Sequence, residues 1–502
     1  MSEKITYKIA GLINFIKTYV LSQLAGRISL VLLAFLIIMS IYALTALPGD
    51  FPVKWTQPQA WETNPVNSPP YWAGAFGYQC LPQIEYNLVE KKPEIYVSGT
   101  SVTASYYYNY YLPRNVNLTP PNILMITRDI KIPPGAASLE VRLSVQRPDN
   151  YTYTLFDNII PVSPNMTYIS QRFRLSSETL SRDIVVQYLE KGMQVNRLSI
   201  LGRYQELIFE EITNVSKDGF VEKVKILPGT YVFKLDLVYS GVTSPPSVIA
   251  KDLILVIQGT CYGFMGTDYL GRDLAMGLLY GFPIALAIGF SVAIFSTLIG
   301  VLAGIISGYF GGFIDEFIQR TVDVMGNIPL LPILVLIATA VQASAFITSI
   351  QDPVTKGWVL LGIIMIILVV FGWPGLAIVI RSFTLSIKGE AYIDAAKALG
   401  ASHNRIMFKH ILPQLTPYIL ANLVLSVPSA IVTEAGLAIL GISHGLPTWG
   451  GILADARTKG YITYWWWIFP PGILITITSM TFIFLGLALE KYAEPRLRGR
   501  RE

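Results

Sequence analysis

Residues 282–306 read FPIALAIGFSVAIFSTLIGVLAGII, twenty-five positions without a charged side chain. A hydrocarbon core of about 30 Å takes roughly 20 helical residues to cross. Inside lipid every backbone N–H and C=O must find its partner within the segment, so the run reads as a spanning helix. Working outward, five further apolar runs of similar length follow the same reading: Ile28–Leu47, Pro329–Ile350, Trp358–Ile380, Leu415–Leu440 and Pro470–Leu489. The 502 residues are 52% hydrophobic and 14% charged, with mean hydropathy +0.48. Soluble globular proteins carry nearly twice that share of charge. The expected fold class is an α-helical polytopic membrane protein of six transmembrane helices, with a large β-rich extracellular insertion between helices 1 and 2.

The expected domains are a cytoplasmic segment 1–27, a first span 28–47, an external domain 48–264, a five-helix core 265–490 and a cytoplasmic tail 491–502. The first apolar run ends at Pro48-Gly49-Asp50 rather than at small residues, so it reads as a retained span and not a cleaved signal. Orientation follows from Lys and Arg beside the spans. One side holds Lys4, Lys8, Lys17, Arg27, Arg320, Arg381, Lys388, Lys397, Arg405, Lys409, Lys491, Arg496, Arg498, Arg500 and Arg501. The other short segments hold Arg272, Lys356, Arg457 and Lys459. The bias places both termini in the cytoplasm and 48–264 outside a plasma membrane. The interval 48–264 carries nineteen basic and nineteen acidic residues, so the net charge of +5 belongs to the membrane part. That suits anionic lipid, and no basic stripe suggests nucleic acid.

The insertion alternates apolar and polar residues in runs such as Ser138–Gln146 (SLEVRLSVQ) and Tyr231–Tyr239 (YVFKLDLVY), bounded by turn residues. This is the pattern of half-buried strands in a β-sandwich. The Tyr-rich stretch Tyr106–Tyr111 reads as strand packing or as a carbohydrate-stacking surface. Cys80 and Cys261, the only cysteines, read as a disulfide in an oxidising compartment, with two buried free thiols as the other reading. Four Asn-x-Ser/Thr triplets, at Asn117, Asn150, Asn165 and Asn214, lie in the insertion and none elsewhere. They mark N-glycosylation acceptors or chance matches. No metal cluster and no nucleophile arrangement is visible, so the insertion is assigned no chemistry and the chain no cofactor.

After the fourth run stands Glu390–Pro417, EAYIDAAKALGASHNRIMFKHILPQLTP. Ala391, Ala395, Ala396, Ala398 and Leu399 predict a short helix with a small-residue face. Gly400 stands where a helix end needs positive φ, Ser402 can cap a second short helix, and Pro413 marks that helix's end. The product is an elbow at the membrane surface, or else an amphipathic linker resting on lipid.

Asp394-Ala395-Ala396, Gly400 and Leu412-Pro413 resemble the Glu-Ala-Ala signature of binding-protein-dependent ABC importers, with Asp394 in place of the usual Glu and His410 where Ile is common. In that family the loop, here 390–413, is the coupling helix seated in a cleft of the ATPase subunit. Three further stretches are similar to the dipeptide/oligopeptide permease branch, its C-type subunit: Gly266-Thr267-Asp268 with Gly271-Arg272-Asp273; Gly308-Tyr309-Phe310-Gly311-Gly312 with Asp315; and Leu440-Gly441 with Pro447-Thr448-Trp449-Gly450. The tail Glu494-Pro495-Arg496-Leu497-Arg498 completes the pattern, which covers about half the chain. The resemblance implies a type I importer fold and a permease for peptides or oligosaccharides. It also implies a second, B-type permease, two ATPase subunits that hold ATP and Mg, and an extracellular solute-binding protein.

Two sites keep alternative readings. Thr267, Asp268, Gly271, Arg272 and Asp273 brace the external mouth or meet a receptor, or else simply close a turn. Glu434 is the clearest ionisable side chain in the spans, and an intramembrane acid needs a partner or a cavity. It lines the pathway, contacts the partner permease, or reaches water at the outer end. Trp465–Trp467 read as an interfacial aromatic belt. No Gly-x-x-x-x-Gly-Lys-Ser/Thr loop occurs, so ATP hydrolysis is expected on another polypeptide. A secondary transporter would show several embedded ion-coupling residues, and an adhesin would leave the elbow unexplained.

Overall fold

A computed structural model describes residues 20–493 except 115, 164, 245, 247 and 248. Lys4, Lys8, Lys17 and the tail from 494 onward, with Arg496, Arg498, Arg500 and Arg501, lie outside the described residues. The chain forms two compact units, Met1–Pro58 with Leu274–Glu502, and Gln59–Asp273. The boundary expected at 48–264 therefore moves at both ends. Phe51 and Trp55 belong with the helical unit because they pack on it: the Phe51 ring lies 5.2 Å from that of Tyr280. Thr267 belongs with the other unit, where its hydroxyl donates to the Pro65 carbonyl at 2.6 Å.

The middle unit is built on strands β1 (Ile84–Asn87), β2 (Glu94–Ser98), β3 (Ser101–Leu112), β4 (Ile123–Lys131), β5 (Ser138–Gln146), β6 (Thr152–Pro161), β7 (Tyr168–Arg174), β8 (Glu210–Val215), β9 (Val221–Ile226), β10 (Gly229–Ser240) and β11 (Asp252–Ile257). They form a four-stranded sheet in the order β1-β11-β4-β7, a five-stranded sheet β2-β3-β10-β5-β6, and the hairpin β8-β9. Alternation decides the faces, since successive side chains point to opposite sides of a sheet. On β5, Leu139, Val141, Leu143 and Val145 are buried, and on β10 Tyr231, Phe233, Leu235, Leu237 and Tyr239. They share one core with Met125 of β4 and Leu253 and Leu255 of β11. Phe156 of one sheet stacks on Phe173 of the other at 5.0 Å. Burying each such side chain contributes about 1.5–3 kcal/mol. The Tyr-rich strand β3 splits by the same rule: Tyr106 and Tyr110 are buried, Tyr107 and Tyr111 exposed.

Cys80 and Cys261 are joined as a disulfide, 181 residues apart in sequence. A loop of that length gives up to about 5 kcal/mol in the chain-entropy model. Reducing it should lower the unfolding midpoint of this unit while leaving that of the helices in place, as two-stage thermal unfolding with and without dithiothreitol will show. Identical midpoints in both conditions contradict this.

The helical unit comprises α1 (Leu24–Ala46), α2 (Phe51–Thr56), α3 (Leu274–Phe310), α4 (Gly312–Asn327), α5 (Leu330–Gln342), α6 (Ala345–Ser349), α7 (Pro353–Gly372), α8 (Pro374–Lys388), α9 (Ala391–Ala398), α10 (His403–Ile406), α11 (Leu412–Ile439), α12 (Trp449–Thr458) and α13 (Trp465–Ala493). Among the described residues five helices are long and apolar enough to cross a membrane, or up to six if one bent pair counts as a span. The bent pair corrects the expected run Pro329–Ile350. Pro329 holds Ile328 extended, so α4 and α5 meet at 87°, and α5 stops after 13 residues. The expected run Trp358–Ile380 lies inside one candidate span, Pro353–Lys388, in which α7 passes into α8 with one irregular residue at Trp373. The aromatic-belt reading also changes: Trp466 and Trp467 are buried and stack on Tyr464 and Tyr461.

Among the described residues the most extensive helix pairing is α3 on α8. Gly300, Gly304 and Gly308 recur every fourth residue on one face of α3. A Cβ on them would lie 2.9, 2.7 and 2.8 Å from the carbonyls of Trp373, Ala377 and Arg381. Only glycine permits that approach. In lipid, where apolar burial gives no drive, such packing is what holds helices together.

Candidate functional site

The elbow begins where α8 ends at Gly389. The end of α9 is set by hydrogen bonding: Gly400 N–H donates to Lys397 C=O at 2.9 Å and Ala401 N–H to Ala396 C=O at 3.0 Å. These two bonds form a Schellman motif, whose penultimate residue must be left-handed. Gly400 has φ +80°, and a Cβ there would touch nothing within 4 Å. The turn requires glycine for its backbone alone, not for space. The Ser402 Oγ then accepts from Arg405 N–H and caps α10.

Pro413 does not end the second helix as expected. It stands in the first turn of α11, and Met407–Ile411 form a π-helical turn ahead of it, closed by Leu412 N–H donating to Met407 C=O. Pro413 has no N–H to offer Lys409 and its ring crowds that carbonyl, so the chain widens by one residue instead of breaking.

The elbow has a docked underside and a bare top. Ile393, Ile406 and Ile411 are fully buried against Val301, Ile305 and Tyr309 of α3 and Ile380 of α8. The Tyr309 hydroxyl lies 2.8 Å from His403 Nδ1. On the other side Asp394, Ala395 and Gly400 are exposed, as are Phe408 at 48% and Leu399 at 89%. Asp394 pairs with Lys397 at 2.9 Å in solvent. Behind the elbow, Arg381 grips Asp315 of α4 with both Nε and Nη2 at 2.5 Å, and the Ser307 hydroxyl donates to the same carboxylate. Bidentate pairs of this kind fix geometry as well as charge. Asp315 was legible as a motif residue and Arg381 only as a basic residue beside a span; their pairing was not legible.

Glu434 lies at another point of the helical unit, and its water-reaching reading is overturned. Its side chain is 5% exposed and accepts from His444 Nε2 at 3.0 Å and from the Thr448 hydroxyl at 3.1 Å. Leu446 N–H donates to His444 Nδ1, which leaves the ring proton on Nε2, facing the carboxylate. Thr448 also caps α12 through Gly451 N–H, and the Trp449 ring N–H donates to Leu278 C=O of α3. The cluster thus ties α11, α12 and α3 together. Sequence reasoning missed His444; the signal was a histidine ten residues after an embedded acid, in a loop leading to Pro447-Thr448-Trp449-Gly450.

Replacing Glu434 by leucine removes the acceptor shared by the His444 N–H and the Thr448 hydroxyl and leaves them only their longer contact with each other at 3.4 Å; a buried group left unsatisfied costs about 1–3 kcal/mol. The expected outcome is faster proteolysis at residues 440–464 in the detergent-solubilised protein. Glu434→Gln keeps an acceptor and should be cut at near the parental rate.

In the middle unit the Thr267–Asp273 stretch closes a turn upon itself. Asp268 and Thr267 are fully buried. The Asp268 carboxylate accepts from Leu270 and Arg272 backbone N–H at 2.9 Å each and from the Arg272 guanidinium. Burial pushes this carboxyl up, against the pull of Arg272 and the two N–H groups. Gly271 has φ +77°, and a Cβ there would sit 2.9 Å from Trp61 C=O. Thr267, Asp268 and Arg272 thus close the turn that was one of the readings of this stretch. Among the described residues no group of His, Cys, Asp and Glu could hold a metal ion.

Residues 300–499 match the family model described as binding-protein-dependent transport system inner membrane component. The chain is 33% identical over 258 residues to the dipeptide transport system permease protein DppC of Bacillus subtilis (strain 168), covering 51% of this chain and 76% of that protein. It is 34% identical to the oligopeptide transport system permease protein OppC of the same organism, covering 47% and 72%. Against the OppC of Escherichia coli (strain K12) it is 31% identical, covering 47% and 73%. Among solved structures, the inward-facing MetNI methionine ABC transporter aligns with 44% of this chain and 96% of its own, at 20% identity and TM-score 0.32. That score is too low to assign a fold from.

Proposed function

Because the chain belongs to the family of binding-protein-dependent transport system inner membrane components, we propose that it is the permease subunit of an ATP-driven importer whose cargo is a peptide. The cargo class follows the dipeptide and oligopeptide permeases that it resembles; the oligosaccharide alternative has no comparable support. In this reading the chain does no chemistry. Two ATPase subunits hydrolyse ATP, a second permease completes the path, and an external solute-binding protein delivers the peptide.

The observation that carries the reading is the elbow. A left-handed glycine turn with Leu399 bared at its tip, anchored underneath by Ile393 and Ile406 to α3 and α8, is a lever. A partner that seats the tip and moves it must move the spans behind it. Energy enters as a bias between two states of the helices, not as a reaction on this chain. The elbow faces the cytosol and residues 59–273 lie outside, as the Lys and Arg distribution implies. The test is uptake of a labelled peptide into proteoliposomes holding both permeases, the ATPase subunits and the binding protein. Uptake that requires ATP hydrolysis supports the proposal. Uptake driven by an ion gradient without ATP overturns it.

The middle unit serves delivery rather than coupling. Replacing Gln59–Asp273 by a short linker should leave basal ATP hydrolysis of the assembled complex unchanged and reduce uptake that depends on the binding protein. Complete loss of hydrolysis in a correctly assembled complex contradicts this.

A further inference from the structure

The four Asn-x-Ser/Thr triplets are not alike. Asn117-Leu118-Thr119 lies in the connection from β3 to β4, Asn150-Tyr151-Thr152 at the tip of the β5–β6 hairpin, and Asn165-Met166-Thr167 between β6 and β7. All three asparagines are exposed. Among the described residues their side-chain amides have no hydrogen-bond partner; Asn117 is held only through its backbone N–H, by Gln79. Asn150 has φ +68°, a turn conformation that asparagine tolerates better than most residues. Asn214 differs. It lies within β8 at an irregularity in the pairing with β9, and its Nδ2 donates to Glu222 Oε2 at 2.8 Å.

We propose that Asn117, Asn150 and Asn165 are N-glycosylated and that Asn214 is not. The inference rests on the proposed orientation, with this unit outside the membrane, where a transferase and its lipid-linked donor would act. In the reaction, asparagine Nδ2 attacks the anomeric carbon of a lipid-phosphate-linked oligosaccharide. The C–N bond forms as the C–O bond to phosphate breaks, the lipid phosphate leaves with the electron pair, and the amide gives up one proton. The reaction needs an amide that can turn toward the hydroxyl two residues on, and room for a bulky product. Loop positions with unengaged amides supply both. A strand residue whose amide is already bonded to a carboxylate, though exposed, does not supply the first. The sidedness agrees, since every triplet falls in the unit assigned to the outside and none among the asparagines of the helical unit, Asn14, Asn327, Asn404 and Asn422.

The test uses the full chain in its complex, isolated from membranes of the source cells. Mass spectrometry of proteolytic peptides should find sugar on Asn117, Asn150 and Asn165 and a bare Asn214. Asn117→Gln, Asn150→Gln and Asn165→Gln should each remove one step of electrophoretic mobility, and Asn214→Gln none. Protease added to intact cells separates the two ways of failing. Bare asparagines on a unit that the protease cuts overturn the glycosylation and leave the importer reading standing. Bare asparagines on a unit cut only after the cells are broken overturn the orientation, and the glycosylation with it. Sugar on Asn214 with the three loop positions bare also overturns the proposal.

Discussion

Gly400→Val will yield a complex that assembles and holds its spans, yet takes up peptide roughly 5- to 30-fold more slowly than the parent. The factor follows from the backbone. An L side chain in the left-handed region costs on the order of 1–2 kcal/mol, and a shift of that size changes a two-state ratio about 5- to 30-fold. No clash adds to it, because nothing lies within 4 Å of the position a Cβ would take. The Schellman bonds from Gly400 and Ala401 therefore loosen, α10 leaves its direction, and Leu399 is presented at the wrong angle. Ile393 and Ile411 still anchor the ends, which is why folding survives. Gly400→Asn, able to adopt the same φ, should retain most uptake. Asp394→Ala should act mildly, since its exposed pair with Lys397 is worth less than about 1 kcal/mol. Uptake and substrate-stimulated ATP hydrolysis should fall together in the valine variant; parental rates for both would contradict the prediction.

Gly304→Val will act at the level of folding. The first added carbon would stand 2.7 Å from both the Ala377 carbonyl and the Ile380 Cβ, and backbone on the facing helix has no rotamer by which to yield. Overpacking typically costs about 1–3 kcal/mol, more where nothing can shift. Here α3 and α8 must part along the whole Gly300–Gly304–Gly308 face. That separation also disturbs the Arg381–Asp315 clamp, whose two halves sit on α8 and α4. The expected result is a large drop in the yield of monodisperse protein and a lowered unfolding midpoint. Gly362→Val, at a helical glycine with nothing within 4 Å of its Cβ position, serves as the control and should express normally. Equal yields of the two variants would show that the glycine face does not hold the helices.

Much of this was legible because the physics that sets it is local. Period-two alternation in SLEVRLSVQ coincides with β5, whose alternate residues Leu139 to Val145 face the core. Gly400 and Ser402 were readable as turn and cap because backbone conformation and capping depend on a few neighbouring residues. What could not be read depends on contacts distant in sequence or on competition within a helix. The partners of Glu434 lie ten and fourteen residues away, in a loop whose course no pattern announces. The α4–α5 pair escaped because apolar length alone marks Pro329–Ile350 as one run and does not show that the helix stops at Gln342 or that α4 meets it at an angle. Pro413 was misread for a related reason: proline forbids one hydrogen bond, and a π turn satisfies the chain as well as a break does. The glycine face on α3 is visible as a four-residue spacing, but its pairing with the carbonyls of Trp373, Ala377 and Arg381 and the side chains of Leu376, Ile380 and Thr384 depends on contacts distant in sequence.

The central claim is that the exposed tip of the elbow is seated in an ATPase subunit. A photoactivatable cross-linker at Leu399, 89% exposed, tests it most directly in the complex purified from its own membranes, with the same group at the exposed Phe469 of α13 as a control. The account predicts a covalent adduct between Leu399 and the ATPase subunit, absent from the Phe469 sample. A complex that retains its ATPase subunits and is irradiated to completion without that adduct would contradict it.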